Sequence, residues 1–143
     1  MVITFSCILF VLLALIRPLQ RNPFYFLHML LVIGSAYYIE HHYFTTSIFS
    51  KKTVMLFLIF HIISINLVTI VAYFIDKKAA IKHRQRIREL DLHTLELFGG
   101  WLGAYIAQRL FNHKTKKKEY QFAFKMMGLG EIFLLIYLWQ YLF

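Results

Sequence analysis

The chain has 143 residues, 59% of them hydrophobic and 18% aromatic, with sixteen Lys and Arg against seven Asp and Glu for a formal charge of +9. That is more apolar surface than a soluble core of this size can hide, which excludes an ordinary soluble domain and points to a single all-α membrane domain, 1–143. The lone Cys7 has no partner, so neither a disulfide framework nor a thiolate metal site is available, and no cofactor fingerprint is visible.

Four apolar stretches, 1–16, 24–39, 54–75 and 126–143, are each about long enough to cross a hydrocarbon core of roughly 30 Å at about 1.5 Å per helical residue. The first has no basic n-region and no small-residue cleavage site before Arg17-Pro18, so it reads as a retained anchor. The first two stretches are short and lean on snorkelling Arg17 and Arg21, with Pro18 and Pro23 bracketing the turn between them. Residues 1–53 thus form a two-span hairpin, and 54–143 form the module that follows. Glu40, His41 and His42 fall in the next loop. His and carboxylate suit zinc or iron, but the rest of a metal site is missing, since His28 and His61 lie in separate spans without matching carboxylates.

The positive charge is clustered. Lys77, Lys78, Lys82, Arg84, Arg86 and Arg88 lie in 76–91, and Lys114, Lys116, Lys117 and Lys118 follow Phe111. By the positive-inside rule both clusters and the Arg17/Arg21 loop face the cytoplasm, while the N-terminus, the Thr45-Thr46 loop and Phe143 face outward. A fifth apolar segment, 92–111, lies between the two clusters. A full span there would put one cluster outside and embed Glu96, Gln108, Arg109 and His93, at about 2.5 to 3.5 kcal/mol per charge near the bilayer centre. The expectation is therefore four spans plus a re-entrant or partly embedded helix on the cytoplasmic side, with five full spans as the alternative. Gly99, Gly103 and Ala107 fall four apart and predict a close helix-packing face, which would also suit a homo-oligomer. A second reading makes Gly99-Gly100 a helix break whose N–H groups meet an anionic headgroup.

Asp76 follows a span where a helix C-terminus disfavours it, which points to a partner from Arg84, Arg86 or Lys114, with a solvated loop charge as the alternative. His113, Lys114 and Thr115, next to Lys116 to Lys118, offer an imidazole, a hydroxyl and ammonium groups at a membrane edge, a set suited to phosphate oxygens. The basic run 77–88 lacks interleaved aromatic residues, so no single-stranded nucleic acid platform is expected. In the last stretch, an ionised Glu131 would be costly alone, and Arg109 is the basic residue available in a neighbouring apolar segment, which predicts an intramembrane charge pair.

Three blocks carry a family resemblance. Asp76-Lys77 with Ala79-Ala80 follows a span; Arg86-Ile87-x-Glu89 precedes an apolar run ending in Gly99-Gly100 and Gly103; Phe111-x-His113-Lys114-Thr115-x-Lys117 closes the basic turn. From Tyr73 onward the chain resembles the bacterial membrane family known as domain of unknown function 1294. The resemblance implies a bacterial inner-membrane protein and brings no defined activity with it. That family usually has Pro where Arg88 stands and Phe where Tyr120 stands; without the proline, Asp91 is expected to cap the next helix. Some members carry a fused cold-shock domain ahead of this module, whereas two apolar spans occupy that place here.

The resulting expectation is a non-catalytic module that binds anionic lipid headgroups, or a phosphate-bearing membrane partner, through Asp76, Lys77, Arg86, His113, Lys114, Thr115 and Lys117. The competing readings are an intramembrane enzyme acting on a headgroup, with His113 as general base or acid and Glu131 or Glu96 as a second titrating group, and a small proton or ion conductor built on Glu131.

Overall fold

The computed structural model describes residues 2–42 and 50–142. Among them every regular element is a helix: α1 Val2–Leu13, α2 Arg17–Gln20, α3 Pro23–His42, α4 Lys51–Ile81, α5 Glu89–Leu95, a π-helical stretch Glu96–Gly100, α6 Trp101–Phe111 and α7 Lys118–Leu142. The expected outward-facing Thr45-Thr46 loop, Met1 and Phe143 lie outside the described residues.

Local chemistry explains the starts. Asn22 caps α3, its Oδ1 accepting from the Phe24 N–H at 3.1 Å, with Pro23 as the first helical residue. Ser50 does the same for α4 by accepting from the Thr53 N–H at 3.1 Å. Both helices outrun the apolar stretches that announced them, because hydrogen bonding along a helix continues through flanking Lys and Glu, which are good helix formers. Helix α4 takes in Lys51 and Lys52 at one end and Lys77 and Lys78 at the other, and α7 begins eight residues before Met126.

Two helices among the described residues are long and apolar enough to cross a membrane, Lys51–Ile81 and Lys118–Gln140, while α1 is apolar but short. The structure thus supports two of the four expected spans. Neither is a buried core helix, and α7 leaves Phe133, Tyr137 and Trp139 about two-thirds exposed. Such a face suits lipid, and the two helices point to membrane association.

The chain divides into two compact units, residues 1–64 and 65–141, with the boundary inside α4. In the first, Phe10 is almost wholly buried and meets Tyr25, His28 and Phe57 at ring separations of 6.0, 5.7 and 6.1 Å. The second unit holds the polar clusters described next.

Candidate functional site

Two left-handed residues aim the chain at one buried carboxylate. Helix α4 ends in a Schellman turn, with His83 at φ +49° and the Arg84 N–H returning to the Ala79 carbonyl at 2.9 Å. Helix α6 ends the same way at Asn112, φ +46°, with the His113 N–H on the Gln108 carbonyl at 3.2 Å. Asn tolerates this conformation better than most side chains, and it turns His113 back toward α4. There the fully buried Asp76 accepts from His113 Nε2 at 2.7 Å, from Arg86 Nη2 and Nε at 3.0 and 3.3 Å, and from the Ile87 N–H at 3.1 Å. The short contact to a carboxylate places the imidazole proton on Nε2. Asp76 therefore has the partner its position demanded, Arg86, together with His113 and a backbone amide. The pairing raises the Arg86 guanidinium above its ordinary value, first through its hydrogen bond to Asp76.

A second clamp closes over the first. Glu89, the first residue of α5, accepts from Lys114 Nζ and Lys117 Nζ, each at 2.7 Å and each on a different carboxylate oxygen. Hydrogen bonds from Lys114 and then Lys117 hold the Glu89 carboxyl down to about 2, so it stays ionised at neutral pH. Because Glu89 opens the element and Lys114 follows its end, residues 89–111 fold back on themselves. Between the clamps is an open cavity of about 680 Å³ lined by Arg86, Glu89, His113, Lys114, Lys116 and Lys117, with Asn112 and Thr115 completing it. Four cations face one carboxylate there. Of the residues expected at the site, the structure brings Arg86, His113, Lys114, Thr115 and Lys117 to one cavity; Lys77 makes no ion pair among the described residues, and Glu89 as the clamp is not foreshadowed by the sequence. Asp91 is not the cap of α5: Arg88 stands at that position, and its guanidinium grips Asp91 through Nε at 2.8 Å and Nη2 at 2.7 Å.

The small-residue face needs a correction at its first position. Gly99 has φ +108°, a conformation that L side chains rarely adopt, and it breaks the helix between α5 and α6 instead of continuing a stripe. Close packing on α4 falls to Gly100 and Gly103. A Cβ on Gly100 would overlap the Thr69 hydroxyl, and one on Gly103 would overlap the Asn66 backbone. Ala107 is fully buried on the same helix. Asn66 repairs the break from α4, its Nδ2 donating to the Gly99 carbonyl at 2.9 Å and its Oδ1 accepting from the Gly103 N–H. From α7, Glu131 Oε1 accepts from the Gly99 N–H at 3.0 Å. Irregular backbone in an apolar setting requires such partners. The anion at the Gly99-Gly100 break is thus the chain's own carboxylate.

Glu131 and Arg109 consequently do not form the expected charge pair. Arg109 lies over the Tyr105 ring at 4.7 Å, exposed, and the broken backbone supplies the donor Glu131 needs. Glu131→Leu should cost about 1 to 3 kcal/mol in detergent unfolding, the price of a backbone N–H left without an acceptor, and Glu131→Gln less. Arg109→Met should stay within about 0.5 kcal/mol, as surface changes do. The Glu131→Leu/Arg109→Met double variant should show the sum; a coupling above about 1 kcal/mol would reinstate the charge pair.

Glu96 sits in a separate network. It is fully buried, paired with His93 Nδ1 at 2.6 Å, and accepts on its other oxygen from the Tyr73 hydroxyl and from the Tyr120 hydroxyl at 2.8 Å. Gln108 Nε2 donates to the Tyr73 hydroxyl at 3.2 Å, and Gln121 Nε2 joins Gln108 Oε1 at 2.6 Å and the Lys114 carbonyl at 3.0 Å. The carboxylates proposed to titrate with His113 are thus engaged elsewhere, Glu96 here and Glu131 at the break. Tyr73, Tyr120 and Gln121 were missed as polar-site residues; the signal available was the His93/Glu96 spacing of three on one helix.

In the first unit, His28 Nε2 meets His61 Nδ1 at 3.0 Å and His28 Nδ1 meets the Ser64 hydroxyl. Glu40 accepts from the Ile3 N–H at 3.1 Å, His41 stacks on Tyr37 at 5.8 Å, and His42 Nδ1 contacts the Tyr38 carbonyl at 2.9 Å. No group of three or more His, Cys, Asp and Glu among the described residues could hold a metal ion.

Residues 66–120 match the family described as "Protein of unknown function (DUF1294)". The "Uncharacterized protein YsdA" of Bacillus subtilis (strain 168) is 29% identical over 75 residues, which cover 52% of this chain and 84% of that protein. No solved structure matches the chain. The three motif blocks read from the sequence fall within the matched residues, and over that stretch the chain is similar to the family.

Proposed function

We propose that the chain is a multi-pass protein of the bacterial inner membrane whose cytoplasmic face binds a phosphate-type oxyanion, carried by an anionic lipid headgroup or by a phosphate-bearing membrane partner. The carrying observation is the Glu89 clamp. Two lysine ammonium groups already hold an oxyanion at 2.7 Å each, beside Arg86, Lys116 and the His113 imidazole in an open cavity. Charge-assisted bonds of this kind, on a preformed turn fixed by Asp76, are the chemistry phosphate recognition uses.

The topology follows the charges. Helices α1, α3, α4 and α7 cross the bilayer, residues 89–111 enter and return on the cytoplasmic side, and Arg84 and Lys116 share that side. The meeting of Glu89 with Lys114 supports a return, because both ends of the element lie together.

Calorimetric titration of the detergent-solubilised chain with inorganic phosphate and glycerol 3-phosphate, at low and high salt, tests the oxyanion reading. Binding should saturate and weaken with salt. Lys116→Gln and Lys117→Gln should each weaken it about fivefold, since a basic residue near an anion at a membrane surface is worth about 1 kcal/mol. Glu89→Gln should tighten it by a similar factor, because the variant removes the carboxylate that competes for Lys114 and Lys117. No saturable binding, or weaker binding in Glu89→Gln, would sink the proposal.

A further inference from the structure

We infer that the oxyanion's carrier is an amphiphile, a phosphate ester bearing hydrocarbon, whose first carbons run along a groove between α6 and α7. This rests on the oxyanion reading above and adds the class of molecule that carries the phosphate. A second cavity, about 700 Å³, adjoins the basic one, and Asn112 and Thr115 line both. Its character changes along its length. Arg109 and Lys125 supply cations from its two helices, Gln108 and Gln121 supply amides, and Trp101, Tyr105 and Phe124 form an aromatic wall.

That wall is held in place before any ligand arrives. The Trp101 indole N–H donates to the Phe124 carbonyl at 3.0 Å, the two rings stack with centroids 5.3 Å apart, and Tyr105 continues the stack at 6.0 Å from Trp101. Gly128 makes room for it, since a Cβ there would overlap the indole. A rigid aromatic surface gives contact area at little conformational cost.

The same groove argues against a nucleotide. Reading a base edge takes free amide donors, and those of the groove are mostly committed: Gln121 Nε2 gives both hydrogens to Gln108 Oε1 and the Lys114 carbonyl, and Gln108 Nε2 gives one to the Tyr73 hydroxyl. Beyond the groove, α7 continues with exposed Met126, Leu129, Ile132 and Phe133, which suit hydrocarbon. Counting both cavities, six cations face one carboxylate, which favours an anionic headgroup over a zwitterionic one.

The test uses the full chain in non-ionic detergent micelles, with bound molecules counted by native mass spectrometry and affinities ranked by competition. The probes are inorganic phosphate, glycerol 3-phosphate, adenosine monophosphate, dioleoyl phosphatidic acid and dioleoylglycerol. One phosphatidic acid should be retained per chain, at least tenfold more tightly than glycerol 3-phosphate, and dioleoylglycerol should not compete. In a Trp139→Phe background the remaining Trp101 emission should shift to the blue with phosphatidic acid and not with glycerol 3-phosphate. Tyr105→Ser, at an exposed position, should cut the tenfold preference to threefold or less. Equal affinity for tailed and tail-less phosphates would overturn the amphiphile while leaving the oxyanion reading standing, and so would a preference for adenosine monophosphate. Failure of every phosphate to bind would overturn the oxyanion reading itself, and the amphiphile with it.

Discussion

Asp76→Ala should destabilise the purified chain by about 3 kcal/mol, the low end for removing one member of a buried ion pair, which is roughly a hundredfold in the unfolding constant. The low end applies because Arg86 is 45% exposed and can return to water, whereas His113 and the Ile87 N–H cannot. Asp76 has four donors and no exposed surface, so alanine leaves each of them without its acceptor. Asp76→Asn should cost less, about 1 to 2 kcal/mol, since an amide oxygen still serves the Ile87 N–H while its NH2 faces donors. Hydrogen exchange adds a local readout: the Ile87 amide should lose protection in Asp76→Ala and keep part of it in Asp76→Asn. The control is Lys77→Ala, the neighbouring residue with no ion pair among the described residues. Equal stability of Asp76→Ala and Lys77→Ala would remove Asp76 as the anchor of the basic turn.

Much of this cluster was legible because its chemistry was written as a conflict. A carboxylate near the end of an apolar helix followed by cations demands a counter-charge, and Arg86 was among the candidates the sequence offered. The return of His113 to the same carboxylate was not legible in the sequence. Its physical cause is the left-handed backbone at His83 and Asn112, and neither position carries the glycine that would have flagged it. The fold class was read from hydropathy, but helix ends were not, because helical hydrogen bonding ignores the polarity boundary that hydropathy detects.

The expected Glu131–Arg109 pair went wrong for an instructive reason. In sequence, an embedded carboxylate asks for an opposite charge, yet a broken helix exposes N–H groups that serve equally well. Gly99 was noticed as a break and Glu131 as an orphan. Only the structure brings them together, with Asn66 bonding the Gly99 carbonyl and the Gly103 N–H. Glu89 stayed hidden because a carboxylate inside a basic run looks like ordinary charge balance. Its role emerges once residues 89–111 are seen to fold back.

Glu96→Leu should be the most damaging single change in the second unit, at about 3 to 5 kcal/mol in detergent unfolding. The carboxylate is the acceptor for two buried tyrosine hydroxyls and pairs with His93, whose ring stacks on Tyr120 at 4.2 Å. Leucine fills similar space, so the loss measures the stranded polar groups more than a cavity. Glu96→Gln keeps an oxygen for the hydroxyls and weakens the bond to His93 Nδ1, so about 1 to 2 kcal/mol is expected. The decisive variant is Glu96→Leu combined with Tyr73→Phe and Tyr120→Phe. Removing donors together with their acceptor can approach neutrality, so the triple variant should be more stable than Glu96→Leu alone, a strongly non-additive result. The effect should also travel. Gln108 and Gln121 link the Tyr73 hydroxyl to the Lys114 carbonyl, so Glu96→Leu should loosen the basic turn and weaken oxyanion binding without touching a cation. Additive losses across the three substitutions, with phosphate affinity unchanged in Glu96→Leu, would show that the network neither acts as a unit nor supports the turn.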